Sequence, residues 1–261
     1  METQNQMLSK VGKYPFMAEP FHCDFQKRLF MGHLGNHLLN AADFHSNDRD
    51  FGMNYLNTVN KTWVLSRLAV EMQRMPEAYD RFYVYTWVES AMRYFTNRNF
   101  KVESADTGEV YGYGRSVWAM IDTETRQPAN LFDIHDGEIQ NYVTQELDCP
   151  IAKSSRVRMD DSATQVAQVR ASYDDIDVNG HVNSIKYIEH VLDLFPLTWY
   201  REHALHRFEI AYVAEAHEGD LLRFFRQENG PADFSIRITA QSRPDADEVE
   251  VVRSRVIFVE C

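Results

Sequence analysis

Apolar side chains recur every three or four positions in two stretches of the chain, which predicts two amphipathic helices. The first stretch runs from about residue 29 to 46, and five apolar residues share one face of it: Phe30, Leu34, Leu38, Ala41 and Phe44. The second runs from 182 to 195, with an apolar stripe formed by Ile185, Ile188, Val191, Leu192 and Phe195. Pro196 should end this helix, because a proline ring clashes with the preceding turn.

Each predicted helix is preceded by one strand-like run and followed by four, all rich in the β-branched and aromatic residues that favour strands. In the first half these runs lie within 14–25 and at 61–73, 82–90, 92–103 and 110–122. In the second half they lie at 164–173, 206–214, 220–227, 233–241 and 248–259. The repeated order predicts an α+β fold of two tandem units, each a curved antiparallel sheet around a central helix.

The stretch between the two repeats is polar and fits neither of them. It carries Pro128, Gly137 and Pro150, which interrupt regular structure. We therefore expect an N-terminal unit at 1–135, a linker at 136–163 and a C-terminal unit at 164–261.

Composition narrows the class of protein. Of the 261 residues, 44% are hydrophobic and 13% aromatic, so a sizeable core is expected. The formal net charge of −12 disfavours nucleic acid as a partner. No apolar run approaches the ~18 residues that cross a bilayer, and the polar N-terminal segment lacks the features of a signal or transit sequence. We expect a folded protein without a membrane span.

Metal and cofactor sites are not indicated. The three cysteines, Cys23, Cys149 and Cys261, form no CxxC pair, which argues against a disulfide framework or a zinc site and favours a reducing cytoplasm. The sequence contains no HExxH, GxGxxG, P-loop or GxSxG pattern. We therefore expect no metal and no cofactor.

The segment from Asp177 to Asn183 is the strongest candidate for chemistry. Its Asp, Asn and Gly residues are typical of a turn and a helix N-cap, so a purely structural role is one interpretation. The other is catalytic, because Asn179 supplies an amide donor and His181 can carry a proton near neutral pH. The loop also precedes a helix, whose first N–H groups favour a developing oxyanion.

Glu215 is the candidate base for an attack by water. It follows the strand-like run at 206–214 and precedes an acidic stretch that contains Glu218 and Asp220. The alternative interpretation is that these three carboxylates are solvated charges at the end of a hairpin.

These residues carry a resemblance to a known family. The segment 175–187 resembles the D-x-D-x-N-x-H-V-N-N-x-K-Y pattern of the acyl-[acyl carrier protein] thioesterases of plants and bacteria, with Ser184 in place of the last Asn. Shorter segments at 36–38, 63–67, 85–88 and 115–120 resemble the first half of that family. The similarity covers most of the chain, from about residue 14 to 259.

The resemblance implies a double hotdog fold, in which the N-terminal hotdog holds the acyl chain and the C-terminal hotdog carries the reacting residues. It implies hydrolysis of a fatty acyl thioester on the phosphopantetheine arm of acyl carrier protein, without a cofactor. The implied catalytic residues are Asp177, Asn179, His181 and Glu215, and Asn183 is a candidate substrate-binding residue. A coenzyme A thioesterase and a non-catalytic acyl-binding protein of the same fold are the alternatives.

One departure from the family pattern affects the expected mechanism. The family's Tyr-x-x-Glu-Cys segment falls on 212–216, where Ala216 occupies the cysteine position. A cysteine nucleophile is therefore excluded at this position. Two mechanisms remain: Glu215 activates a water, or Glu215 attacks the thioester and forms an anhydride.

Partner recognition is predicted from charge. Acyl carrier protein is acidic, so the basic residues Lys153, Arg156 and Arg158 are candidates for binding it. The alternative is that they are ordinary solvated linker charges. Two fused hotdogs already supply the pairing that single hotdogs obtain by dimerising, so either a monomer or a homodimer is expected.

Overall fold

The computed structural model describes residues 8–261. Its strands in the first half are β1 (Val11–Met17), β2 (Lys61–Met72), β3 (Arg81–Ala91), β4 (Phe95–Ser104) and β5 (Val110–Asp122). Those in the second half are β6 (Thr164–Arg170), β7 (His203–Tyr212), β8 (Leu221–Gly230), β9 (Asp233–Gln241) and β10 (Val249–Glu260). The α-helices are α1 (Met31–Asn47), α2 (Met53–Leu56), α3 (Ser184–Leu192) and α4 (Leu197–Glu202).

All ten of these strands pair antiparallel in one sheet, in the order β1-β3-β4-β5-β2-β7-β10-β9-β8-β6. The two halves join where β2 pairs with β7, with Leu68 opposite Ile210. Outward from this seam, both halves have the same strand order. The predicted repeat of strand, helix and four strands is therefore confirmed, and the fold is a double hotdog of the α+β class.

The second helix is shorter than its apolar stripe predicted. The stripe extends to Phe195, but α3 ends at Leu192 and a new helix, α4, begins after Pro196. Proline disfavours the helical conformation of the residue before it, so the chain leaves α3 before this position. The first helix agrees within two residues with the predicted range.

Helices α1 and α3 lie side by side on the inner face of the sheet, where both contribute to one hydrophobic core with inward residues such as Phe208 and Ile210. Glycines in α1 allow the close approach of the two helices. A Cβ at Gly35 would lie 2.7 Å from Cδ1 of Ile185, closer than carbon atoms pack.

Charged side chains alternate with these core residues and point to the outer face of the sheet. A segment at 149–158, here called the strap, crosses that face. Arg115, Arg207 and Arg253 donate to its carbonyl groups at Ile151, Ala152 and Val157, at 2.9, 2.8 and 3.1 Å. The buried Glu209 in turn accepts two 2.7 Å hydrogen bonds from Ser155. These bonds satisfy charges that burial would otherwise destabilise.

Residues 1–7, which belong to the predicted N-terminal unit and to the polar N-terminal segment, lie outside the described residues. Within residues 8–261, no helix is both long and apolar enough to cross a membrane.

Candidate active site

The loop at 177–183, here called the site loop, is closed by the carboxylate and backbone of Asp177. The Oδ1 atom of Asp177 accepts from the N–H groups of Asn179 at 2.8 Å and of His181 at 3.3 Å. The Asp177 N–H donates to the His181 carbonyl at 2.9 Å. Gly180 has a left-handed φ of +81°, which glycine adopts without strain. The turn chemistry expected of this segment is present.

The site loop leads directly into α3. The side-chain oxygen of Asn183 caps the helix by accepting from the Ile185 N–H at 2.9 Å. Just before it, the Val182 N–H donates to the carbonyl of Ala216 at 2.8 Å. This bond fastens the site loop to the segment that carries Glu215.

Glu215 lies just past the end of β7, between the side chains of His181 and Arg126. Its Oε2 is 3.3 Å from Nε2 of His181, and its Oε1 accepts from the guanidinium of Arg126. The ring of His217 packs edge-on to that of His181, with centroids 5.0 Å apart. The structure therefore brings His181 and Glu215 together, although 34 sequence positions separate them.

Arg126 is a site residue that sequence reasoning missed. It belongs to the turn after β5, which the carboxylate of Asp122 holds by accepting from the Thr125 N–H at 2.8 Å. Arg126 itself has a left-handed φ of +59°. No motif or charge pattern marks it, because its partner lies in the other half of the chain.

The predicted residues meet at one end of a cavity of about 360 Å³, within the ~300–1,000 Å³ typical of ligand pockets. Its wall includes Asp177, Asn179, His181, Asn183 and Glu215. From there the cavity continues across the seam into the first half, where its lining includes Leu39, Trp63, Leu65, Val88 and Trp118. The cavity thus joins a polar end in the second half to a first-half wall that includes large apolar side chains.

The residue at the family's cysteine position does not belong to this wall. Ala216 is fully buried and packs in the main hydrophobic core. Its backbone carbonyl, not its side chain, serves the site by accepting from Val182.

The N–H groups at the start of α3 are largely engaged. Those of His181, Val182, Asn183 and Ile185 donate to protein acceptors, and within residues 8–261 only the Ser184 N–H of this stretch has none. The expectation that several free N–H groups hold an oxyanion is therefore reduced to one backbone donor. The side chains of Asp177 and Asn183 cap two of these N–H groups. The N–H groups of Val182 and Asn183 donate instead to the carbonyls of Ala216 and Asp175.

Two tyrosines support this end of the cavity. Tyr212 donates its hydroxyl to the Ser184 carbonyl at 2.8 Å, while the hydroxyl of the buried Tyr187 has no hydrogen-bond partner among the described residues. Burial raises the pKa of both phenols well above the usual range. Both therefore remain neutral hydrogen-bond donors at physiological pH.

The basic residues Lys153, Arg156 and Arg158 are placed elsewhere. All three are exposed on the strap, against the outer face of the sheet. The cavity lies on the inner face, beside α1 and α3. The structure does not bring this cluster to the cavity.

The first half contains a second loop with the same backbone geometry, at 24–30, here called the first-half loop. Asp24 Oδ1 accepts from the N–H groups of Gln26 at 2.8 Å and of Arg28 at 2.9 Å. The Asp24 N–H donates to the Arg28 carbonyl at 2.7 Å, and Lys27 has a left-handed φ of +65°. Gln26 and Arg28 thus stand where the site loop has Asn179 and His181.

The equivalence extends to the glutamate. The Leu29 N–H donates to the Pro76 carbonyl at 2.8 Å, as that of Val182 does to Ala216. Met75 therefore occupies the position that Glu215 holds in the second half. The first-half loop thus has the backbone hydrogen bonds of the site loop, but it lacks the imidazole and the glutamate carboxylate.

The end of the sheet opposite the cavity is filled by an aromatic cluster of Phe195, Trp199, Phe234 and Phe258. Phe195 lies 5.0 Å from Phe234 and 4.9 Å from Phe258, between ring centroids. Trp199, on α4, packs against the same two rings at 5.6 Å. Among the described residues, this cluster therefore fills with aromatic side chains a part of the second half that the cavity does not enter.

Comparison with known proteins agrees with this architecture. The N-terminal and C-terminal domains that define acyl-ACP thioesterases match residues 13–136 and 158–253. A solved acyl-ACP thioesterase from Bacteroides thetaiotaomicron is 51% identical, with a TM-score of 0.88 over 96% of this chain and 98% of that one. This chain belongs to the acyl-ACP thioesterase family.

More distant relatives are found in plants. The chloroplastic palmitoyl-acyl carrier protein thioesterase of Gossypium hirsutum is 30% identical over 168 residues, which cover 63% of this chain and 40% of that protein. The match thus spans about two-fifths of that relative's length. The 12:0-ACP thioesterase of Umbellularia californica shares the fold, with a TM-score of 0.81 at 21% identity over 98% of this chain and 99% of that one.

Proposed function

We propose that this protein hydrolyses fatty acyl thioesters of acyl carrier protein, releasing a free fatty acid and the holo carrier protein. The observation that carries the proposal is the Glu215 carboxylate, held between Arg126 and His181 at the end of the cavity. Membership of the acyl-ACP thioesterase family supports the substrate class, and a role in fatty acid biosynthesis follows from the product.

In this proposal the first half binds the acyl chain and the second half supplies the chemistry. The apolar side chains of Leu65 and Trp118 contact the chain, while the thioester carbonyl lies near Glu215. The phosphopantetheine arm enters past the exposed site loop. The proposed domain limits are 1–135, 136–163 and 164–261.

In the first form of the mechanism, Glu215 removes a proton from a water molecule, and the oxygen of that water attacks the carbonyl carbon. The Ser184 N–H and the Asn179 amide stabilise the tetrahedral oxyanion. The intermediate then collapses with cleavage of the C–S bond, and His181 relays to the departing thiolate the proton that Glu215 took from the water. Asp177 acts only by holding the loop, as Asp24 does in the first half.

In the second form, Glu215 attacks the carbonyl carbon directly, the thiolate leaves, and water hydrolyses the resulting anhydride. Hydroxylamine distinguishes the two forms, because it converts an anhydride of Glu215 into a hydroxamate that peptide mass spectrometry detects. Absence of the hydroxamate during active turnover supports the water mechanism.

The overall proposal is tested by mass spectrometry of the fatty acids released from a mixed acyl carrier protein pool, with the matching coenzyme A esters in parallel. We expect release from the carrier protein to be faster. Faster release from coenzyme A would favour a coenzyme A thioesterase, and lipid binding without release would favour an acyl-binding protein.

The proposed compartment is the cytoplasm, in keeping with three unpaired cysteines. The proposed assembly is a monomer, because the β2–β7 seam already joins the two hotdogs. Light scattering of the purified protein tests the assembly, and a homodimer is the alternative outcome.

A further inference from the structure

The inner face of the first half changes from apolar to polar beneath the C-terminal part of α1. Along β4, Phe100 and Val102 are fully buried in the core, but Thr96 and Arg98 continue the same inward row. Arg98 is only 6% exposed and forms part of the cavity wall. A buried cation therefore faces the space proposed for the acyl chain.

Among the described residues, the hydrogen-bond partners of Arg98 are all neutral. It donates to the hydroxyl of Thr86 at 3.1 Å and to that of Ser46 at 2.9 Å. Within residues 8–261, no carboxylate oxygen lies within 4.0 Å of it. Burial, together with the neighbouring Arg49, lowers its pKa to about 10, so it stays protonated at neutral pH. Burying a charge without a counter-ion is costly.

Arg49 lies on the same wall and is 9% exposed. It donates to backbone carbonyls, including that of His45 at 2.6 Å, and its Nε has no acceptor among the described residues. The partial negative charge at the C-terminus of α1 offsets some of its charge. Arg49 thus adds a second cation that has no ion-pair partner within residues 8–261.

Two further polar groups complete this wall. Burial and the two arginines lower the pKa of His45, which is therefore neutral, and its Nδ1 has no partner among the described residues. Asp43 is the carboxylate of the cluster, and it lies beyond 4.0 Å from either arginine. Burial raises its pKa. The cluster of Asp43, His45, Arg49 and Arg98, here called the distal polar wall, carries a net positive charge.

The fold itself does not require an arginine at position 98. Across β4, β5 and β2, Arg98 is in register with Ser116 and Leu68. The matching row in the second half is Phe234, Val256 and Phe208, because the seam pairs Leu68 with Ile210 and Val70 with Phe208. The equivalent of Arg98 is therefore Phe234, which packs in the aromatic cluster.

We propose that the distal polar wall binds an oxygen acceptor, a hydroxyl or a carboxylate, on the part of the acyl chain remote from the thioester. The preferred substrates are then oxygenated acyl chains rather than simple saturated ones. A methyl end would give the buried charge of Arg98 no acceptor beyond the hydroxyls of Thr86 and Ser46, whereas an oxygen on the chain would accept a further hydrogen bond from the guanidinium. This inference rests on the proposed function, since it assumes that an acyl chain occupies the cavity.

The test uses non-hydrolysable amide analogues of acyl-pantetheine, in a ladder of chain lengths, each with a terminal methyl, hydroxyl or carboxylate. Binding is measured from the fluorescence of Trp63 and Trp118, which line the cavity, so it does not depend on turnover. At the best-fitting length we expect the oxygenated probe to bind about tenfold or more tightly, the effect of one hydrogen bond to a charged group. The hydroxyl and carboxylate arms show which oxygen is preferred.

An Arg98→Leu variant should reverse this preference, while Arg74→Leu, which removes an exposed arginine paired with Glu109, should leave it unchanged. If the wild-type protein binds the methyl probe as tightly as the oxygenated probes, or more tightly, the inference is wrong. This outcome is measured on the wild-type protein and does not depend on the folding of a variant. Thioester hydrolysis is assayed separately with the same acyl groups on carrier protein. Failure there would reject the proposed function, independently of the binding preference.

Discussion

The site loop and the first-half loop have the same backbone and different side chains. Asp177 and Asp24 close their loops with matching hydrogen bonds. Each loop also donates one 2.8 Å backbone hydrogen bond to the segment that follows β7 in the second half or β2 in the first. The positions that bear chemistry differ: Asn179, His181 and Glu215 are replaced by Gln26, Arg28 and Met75. The aspartates therefore build the loops, whereas the residues that differ are those to which we assign a part in the reaction.

The surroundings of the two loops also differ, since the site loop lies beside the cavity and the first-half loop does not. The site loop adjoins the cavity, whereas Arg28 of the first-half loop is bound by Asp24 at 3.1 Å and donates to the carbonyl of Tyr200 on α4. The aromatic cluster fills the space that the cavity occupies in the other half. The fold thus has two equivalent loop positions, and the candidate site lies at the one in the second half.

The largest expected effect comes from changing the glutamate and its first-half equivalent in the same way. Glu215→Gln should lower kcat by about 10²-fold or more, because the amide can neither accept the proton of water nor attack the thioester. Met75→Gln should leave kcat nearly unchanged. Steady-state release of fatty acid from acyl carrier protein measures both, and near-normal turnover of folded Glu215→Gln would remove Glu215 from the mechanism.

Met75, the first-half equivalent of Glu215, has no carboxylate with which an arginine could pair, so the role of Arg126 can be examined by itself. Arg126→Met should lower kcat by about tenfold, through loss of a charge-assisted hydrogen bond that orients Glu215. KM should change little, and Arg126→Lys should recover part of the loss. A rise in KM with an unchanged kcat would instead assign Arg126 to substrate binding.

The two aspartates provide the most direct test of a scaffold role. Asp177→Ala and Asp24→Ala should each destabilise the protein by about 1 kcal/mol, through two lost N–H acceptors. Only Asp177→Ala should also lower kcat, by several-fold, since its loop carries His181. Thermal unfolding and turnover are measured on both variants. An equal loss of kcat in both would mean that stability, not loop geometry, is responsible.

The smallest expected effect concerns the strap. Reversing the charges of Lys153, Arg156 and Arg158 to Glu should raise KM for an acyl carrier protein substrate by about threefold, as expected of exposed charge pairs. KM for the matching coenzyme A ester should not change. Equal effects on both substrates would identify the three residues as solvated charges of the outer face.

The fold was predictable because its signal is local and repeated. The periodic apolar positions of α1 and the β-rich runs located both hotdogs, and Pro196 marked the break after α3. The residues from Asp177 to Asn183 were recognisable because turn and cap residues occur there beside an imidazole. Their roles remain predictions.

Other features depend on contacts that no local pattern records. Arg126 reaches Glu215 from a turn 89 residues earlier in the chain. The first-half loop could not be predicted from the sequence, because its residue types match those of the site loop only at Asp24. The similarity of the two loops lies in their backbone hydrogen bonds. Arg98 was not marked either, since an inward position on β4 is predicted to be apolar.

The β2–β7 seam also bears on what each half can do alone. It places β2 and β7 at the centre of the sheet, with all their neighbours supplied by the intact chain. A fragment that ends after β5 would expose the edge of β2 together with the face of α1 that packs on α3. Unprotected strand edges recruit other strands, so such a fragment should self-associate or aggregate.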